Sequence, residues 1–183
     1  MAVPVATNSF VQRLIGAMAL DAAIYEEVEA DAYATSQAFA VVLVSSLAAG
    51  LGARGLGGMT VGNVAFIGIV ALMSWASWAL VIYAIGAHLM PEPDTSVDVG
   101  QLLRTLGFAS TPGLLRVFGV IPGVTIPAFV ISAVWMLLAT IVAVRQALDY
   151  KSTTRAVLVC GLGWTLAIAI AVVLGLFFDR PVS

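Results

Sequence analysis

Charge is what this chain has least of. Only 10% of its 183 residues are charged, 61% are hydrophobic, and mean hydropathy is +1.07. Ordinary soluble domains run at about 25% charged and about 45–50% apolar residues. So few polar side chains cannot cover a water-soluble globule, which leaves lipid as the main solvent. The 8 Lys and Arg are scattered and the net charge is −2. That excludes the basic patch a nucleic-acid partner would need. The single cysteine, Cys160, excludes an intramolecular disulfide and reads as a small packing residue inside an apolar run. The single histidine, His88, cannot supply a closed zinc site. There is no G-x-S-x-G elbow, no H-E-x-x-H and no P-loop. No nucleophile is accompanied by a base. These absences predict a protein that is not an enzyme and uses no cofactor or metal. Met1 to Gln12 also lack any charge, so there is no positive n-region, and the N-terminus is expected to be retained.

What the chain does have is long apolar runs. A helical span needs roughly 20 mostly apolar residues, whereas a β-barrel needs strict alternation, which is missing. The expected fold is all-α: an integral membrane helical bundle of five transmembrane helices, at about 34–51, 64–87, 105–121, 125–144 and 156–178. Residues 1–33 precede them as an N-terminal segment and 179–183 form a tail. In the N-terminal segment Ser9 is an N-cap candidate. Phe10, Leu14 and Met18 then share one helical face with Val11 and Ile15 beside them, while Gln12 and Arg13 fall off it. Two readings suit this helix: an amphipathic one lying in the headgroup region, or one packed on the end of the bundle.

Several clusters invite a function. Glu26, Glu27, Glu29 and Asp31 sit in an acidic run, either a protein-partner surface on the cytoplasmic side or a solvated helix face. Gly50, Gly52 and Gly55 match G-x-G-x-x-G, but a nucleotide site needs a strand before the glycines, so a connector over 50–63 is the expectation. His88, Glu92, Asp94 and Asp98 are scattered over a polar loop without metal-ligand spacing. Trp75 and Trp78 lie mid-span and suggest core packing. Small residues recur at Ala34, Ala38, Ser46 and Gly50, and again at Gly163, Ala167, Ala171 and Gly175. Both are helix-contact faces, the second within one subunit or between two in a homo- or hetero-oligomer.

The ambiguous stretch is Gln101 to Ile121, where Arg104 and Arg116 bracket 11 uncharged residues. Pro112 would kink a helix there, and Pro122-Gly123 signals a turn. The piece either crosses as a short span, re-enters on one side or lies on the surface. An intramembrane ionisable residue marks a functional site by default, which singles out Arg116 with Pro112 beside it. The bland alternative is an arginine gripping lipid headgroups at the interface. With five spans, Arg13, Arg104, Arg145, Lys151 and Arg155 share the N-terminal side, against Arg54, Arg116 and Arg180. That bias puts the N-terminus in the cytoplasm.

The second half resembles the Yip1-domain family of multi-pass membrane proteins. The residues carrying the resemblance are Gly107-Phe-Ala-Ser-Thr-Pro112, Leu114-Leu-Arg116-Val-Phe and Ile121-Pro-Gly123. Ile131-Ser-Ala-Val-Trp135, Val142-Ala-Val-Arg145-Gln-Ala and Thr153-Thr-Arg155-Ala-Val continue it. In the N-terminal region, Leu20-Asp21, Tyr25-Glu26-Glu27-Val28 and Gln37-Ala38 resemble bacterial members. The resemblance implies five spans, a cytoplasmic N-terminus and no catalytic residues. It also implies a short prokaryotic-type member in the plasma membrane, without the long N-terminal domain of the members linked to vesicle traffic. The expected role is membrane organisation or partner scaffolding. The alternative is a small channel or carrier built on the Pro-broken region around Arg116.

Overall fold

The computed structural model describes residues 8–54 and 60–178. Its helices are α1 (Phe10–Met18), α2 (Ala22–Ala30), α3 (Ala34–Arg54), α4 (Val61–Tyr83), α5 (Val99–Ala109), α6 (Thr125–Ala147) and α7 (Thr153–Phe178). A π-helical turn, Ala84–Leu89, extends α4, and a 3₁₀ segment, Thr111–Val120, follows α5. There is no strand among the described residues.

Among the described residues four helical stretches are long and apolar enough to cross a membrane: Ala34–Ala53, Val61–Leu89, Thr125–Ala147 and Thr153–Ile170. The expected fifth helix over 105–121 does not form. The α-helix stops at Ala109 and the chain continues as the 3₁₀ segment with Pro112 in its first turn. The reason is local. Pro112 has no N–H to give the Phe108 carbonyl four residues back. The Thr111 hydroxyl donates to that carbonyl instead, at 2.6 Å, and Ser110 donates its own to Gly107 O at 2.7 Å. These side-chain bonds favour the tighter turn. The Pro112 carbonyl is in turn taken by the Ser132 hydroxyl of α6 at 3.0 Å.

The broken segment lies along α3. A Cβ on Gly107 would stand 2.5 Å from Ala38 Cβ, one on Gly113 3.0 Å from Ser45 Oγ, and one on Gly119 2.7 Å from Gly52 O. Backbones this close require small residues on both sides. The segment thus follows α3 from its second turn to its last. Gly123 then turns the chain with φ +81°, and α6 starts at Thr125 with Pro127 in its first turn.

The N-terminal helices cap one end of this bundle. Ser9 N-caps α1 in a capping box with Gln12. Arg13 and Ala17 form the buried face of α1, while Val11 and Ile15 are exposed. So α1 does pack on the bundle, with Leu14 against the core and Phe10 against Phe108, and its Val11 and Ile15 edge faces outward. Tyr25 of α2 is fully buried and donates its hydroxyl to Ala17 O at 3.2 Å. The Arg104 guanidinium of α5 donates to Val28 O and Glu29 O at 3.2 and 3.0 Å. That places a cation at the carbonyl end of α2, where the helix dipole favours it.

Candidate functional site: a lateral cavity ending on Arg116

Where the broken segment holds α3 and α6 together, the bundle leaves a cavity of about 670 Å³ on the side of α4 and α7. That lies in the range of small-molecule sites, about 300–1,000 Å³. Its walls are mostly apolar: Val42 from α3, Trp75 and Trp78 from α4, Met136 and Leu137 from α6, Trp164 and Ile170 from α7. Trp75 is pinned by its Nε1–H to Leu103 O at 3.1 Å, and Trp78 meets Trp164 edge-on at 5.7 Å between ring centroids. The tryptophans therefore do pack against the core, and they also form the cavity wall. A few hydroxyls project among them, from Ser45, Ser46, Ser74, Ser77 and Thr140. Ser45 and Thr140 are taken up by Ser110 O at 2.6 Å and Met136 O at 2.8 Å.

Among the described residues one charged residue lines this cavity, and it is Arg116. The 3₁₀ segment carries it to the level of Gly52, near the C-terminal end of α3. Its guanidinium carbon lies 5.5 Å from the Phe129 ring centroid, a cation–π contact. The side chain is half-buried, and its Nε is fully buried with no hydrogen-bond partner. Other arginines behave differently. Arg13 bonds Glu27 and Asp31, Arg104 bonds Glu29 O, Arg145 bonds Tyr150 O and Arg155 bonds Pro91 O. Pro112 does not line the cavity. It breaks the helix just before Arg116 and so sets the position of that side chain.

The four carboxylates of the acidic run, Glu26, Glu27, Glu29 and Asp31, are each engaged within the chain. Arg13 is 2% exposed and bonds Glu27 at 2.9 Å, Asp31 at 2.8 Å and Gln37 at 3.0 Å. Asn8 adds hydrogen bonds to Glu27. Burial pushes the Glu27 carboxyl up, but the bonds from Asn8 and Arg13 outweigh it and hold it below its ordinary value. The Arg13 bond does the same for Asp31. Glu26 accepts from Gln146 at 2.7 Å and Glu29 from Gln101 at 2.9 Å. Burial, with the Asp149 charge next, lifts Glu29 to about 7. Sequence reasoning placed Arg13 off the packed face and missed this hub. Its only signal was an arginine preceding an acidic run.

The remaining clusters carry no chemistry. Asp98 N-caps α5, Asp94 pairs with Lys151 at 2.5 Å and Glu92 with Arg155 at 3.5 Å. His88 sits in the π-turn rather than a loop, against Tyr83. No group of three or more His, Cys, Asp or Glu is placed to hold a metal among the described residues. Gly50 and Gly52 belong to the last turns of α3, and Gly55 lies outside the described residues. In the stripe on α7, a Cβ on Gly163 would stand 3.0 Å from the Trp78 ring. Ala167 lines the cavity. The side chains of Ala171 and Gly175 lie outside those described. Comparison with protein-family models, curated proteins and solved structures finds no match.

Proposed function

We propose that this is a non-enzymatic multi-pass membrane protein that holds an amphipathic, lipid-like molecule in the lateral cavity below Arg116. One observation carries the reading: an apolar cavity of about 670 Å³ whose one charged lining residue, among those described, has no described partner for its buried Nε. An unpaired polar group in such surroundings costs free energy unless something supplies its hydrogen bond. The apolar wall suits a hydrocarbon chain and does not suit a hydrated ion path, so a carrier or lipid-holding role fits better than a channel. The acidic cluster at the other end gives less support to partner scaffolding, because its carboxylates are engaged by Arg13, Gln101 and Gln146.

In this reading the end of α5 and the 3₁₀ segment together make a fifth crossing, since they follow α3 from Ala38 to Gly52. The N-terminal cap then faces the cytoplasm, following the Lys and Arg bias. The Yip1-like resemblance of residues 107–123 agrees with that layout and with a prokaryotic plasma membrane. The test uses Trp75, Trp78 and Trp164 as reporters. A phospholipid brominated mid-chain is titrated into the detergent-solubilised protein, and tryptophan quenching is followed. We expect a saturable component at about one lipid per chain, reduced in Trp164→Phe. Quenching that rises without saturation would overturn the reading.

A further inference from the structure

We propose that the cavity is selective for an anionic lipid, with a phosphate seated on Arg116 and one acyl chain running inward past the tryptophans. This rests on the lipid-holding reading above and adds the headgroup chemistry and its place. The Arg116 guanidinium carbon lies 5.5 Å from the Phe129 ring centroid, a cation–π contact. That contact uses the charge and none of the N–H donors. The buried Nε–H is one of these donors, and no described residue accepts it. A planar fork of unused donors matches the paired oxygens of a phosphate, and such charge-assisted bonds are the strong ones. A neutral hydroxyl could satisfy Nε but would leave the charge uncompensated among apolar neighbours.

The cavity's length fits the rest of the molecule. Arg116 lies beside Phe129 in the first turns of α6, while Thr140 lines the cavity deeper in. Eleven helical residues separate Phe129 from Thr140, about 16 Å at 1.5 Å per residue. An acyl chain following that path passes Trp78 and Trp164 on the opposite wall. The phosphate end lies toward the C-terminal end of α3, away from the N-terminal cap.

The experiment compares phosphatidic acid and diacylglycerol carrying identical brominated chains, each titrated into the full-length protein in a non-ionic detergent. The expected result is that phosphatidic acid quenches saturably with an affinity at least about tenfold tighter, roughly 1.4 kcal/mol. Arg116→Gln should remove that preference, and Arg116→Lys should retain part of it. If the two lipids quench with equal saturable affinity, anion selectivity is overturned and lipid holding stands. If the preference survives in a folded Arg116→Gln, the phosphate sits elsewhere and the proposal is overturned. If neither lipid saturates, both this inference and the reading beneath it fail. The wild-type comparison needs no variant, so a misfolded Arg116→Gln leaves the proposal falsifiable.

Discussion

Replacing Arg13 with methionine should unseat the N-terminal cap. Arg13 is 2% exposed and its guanidinium reaches Glu27, Asp31 and Gln37 within 3.0 Å. Removing one partner of a buried ion pair costs about 3–5 kcal/mol, mostly because the remaining charges lose their compensation. Glu27 and Asp31 keep 21% and 24% side-chain exposure, so water recovers some of that loss. We therefore expect the lower end, about 3 kcal/mol. At roughly 2–4 °C per kcal/mol for a chain of this size, the melting temperature in mild detergent should fall by roughly 6–12 °C. The triple variant Arg13→Met, Glu27→Gln, Asp31→Asn should recover much of the fall, because no uncompensated charge remains. Circular dichroism at 222 nm follows both. The reasoning is refuted if the single variant melts within 1 °C of wild type, or if the triple variant is no more stable than the single.

Gly52→Ala should lower the melting temperature by several degrees, since its Cβ would stand 1.9 Å from the Arg116 carbonyl oxygen and overpacking typically costs about 1–3 kcal/mol. Gly161→Ala is the matched control: its Cβ would meet nothing within 4 Å, so it should be neutral or slightly stabilising, and a fall as large as that of Gly52→Ala would discredit the packing assignment. Glu29 has an ordinary value of 4.5 and is lifted to about 7, so the folded state holds the extra proton and stability should decline as pH rises between those values. Glu29→Gln keeps an acceptor for Gln101, so it should match wild type near pH 4 and melt higher at pH 8; identical curves at pH 8 would contradict the burial of this carboxyl. Reporters at the N-terminus and after Ser183 should lie on opposite sides of the membrane, and the same side for both would remove the fifth crossing.

Much of the fold was legible because its punctuation is chemical. Ser9, Pro112, Gly123 and Pro127 each do what their backbone chemistry demands: cap, break, turn and start. The long apolar runs also stood out, although α3 extends to Arg54 and α4 runs on through its π-turn to Leu89. The stretch 105–121 misled because hydropathy does not distinguish an α-helix from a 3₁₀ segment. What decides it is the bonding of Thr111 and Ser110 once Pro112 has removed a donor. The α3 stripe was half right. Ala38 does meet Gly107, but the next contacts fall at Ser45 and Gly52 rather than Ser46 and Gly50. With 3.6 residues per turn a fixed spacing of four drifts by about 40° per step, whereas Ala38, Ser45 and Gly52 recur every seven residues, close to two full turns, and so stay on one face.

Arg13 and Arg116 show where sequence reasoning stops and why the site lies where it does. Each arginine falls in an apolar stretch, and hydropathy treats them alike. Arg13 was expected off the packed face, and it became the most fully paired cation because α2 returns Glu27 and Asp31 to it. Only tertiary structure could supply those partners. Arg116 stands out in the sequence on the general cost of an intramembrane charge, beside the reading of an arginine gripping headgroups, and no described acid approaches it within ion-pair distance. The cavity itself had no sequence signal, since its wall is assembled from short sets of residues on five separate helices, α3, α4, α5, α6 and α7. A chain with so few charges still pairs Arg13, Arg104, Arg145 and Arg155 with its own oxygens. Leaving Arg116 unpaired at the end of an apolar cavity is therefore not a general looseness of its polar groups. No described residue offers an acceptor there, and an acceptor is what the proposed anionic lipid would bring.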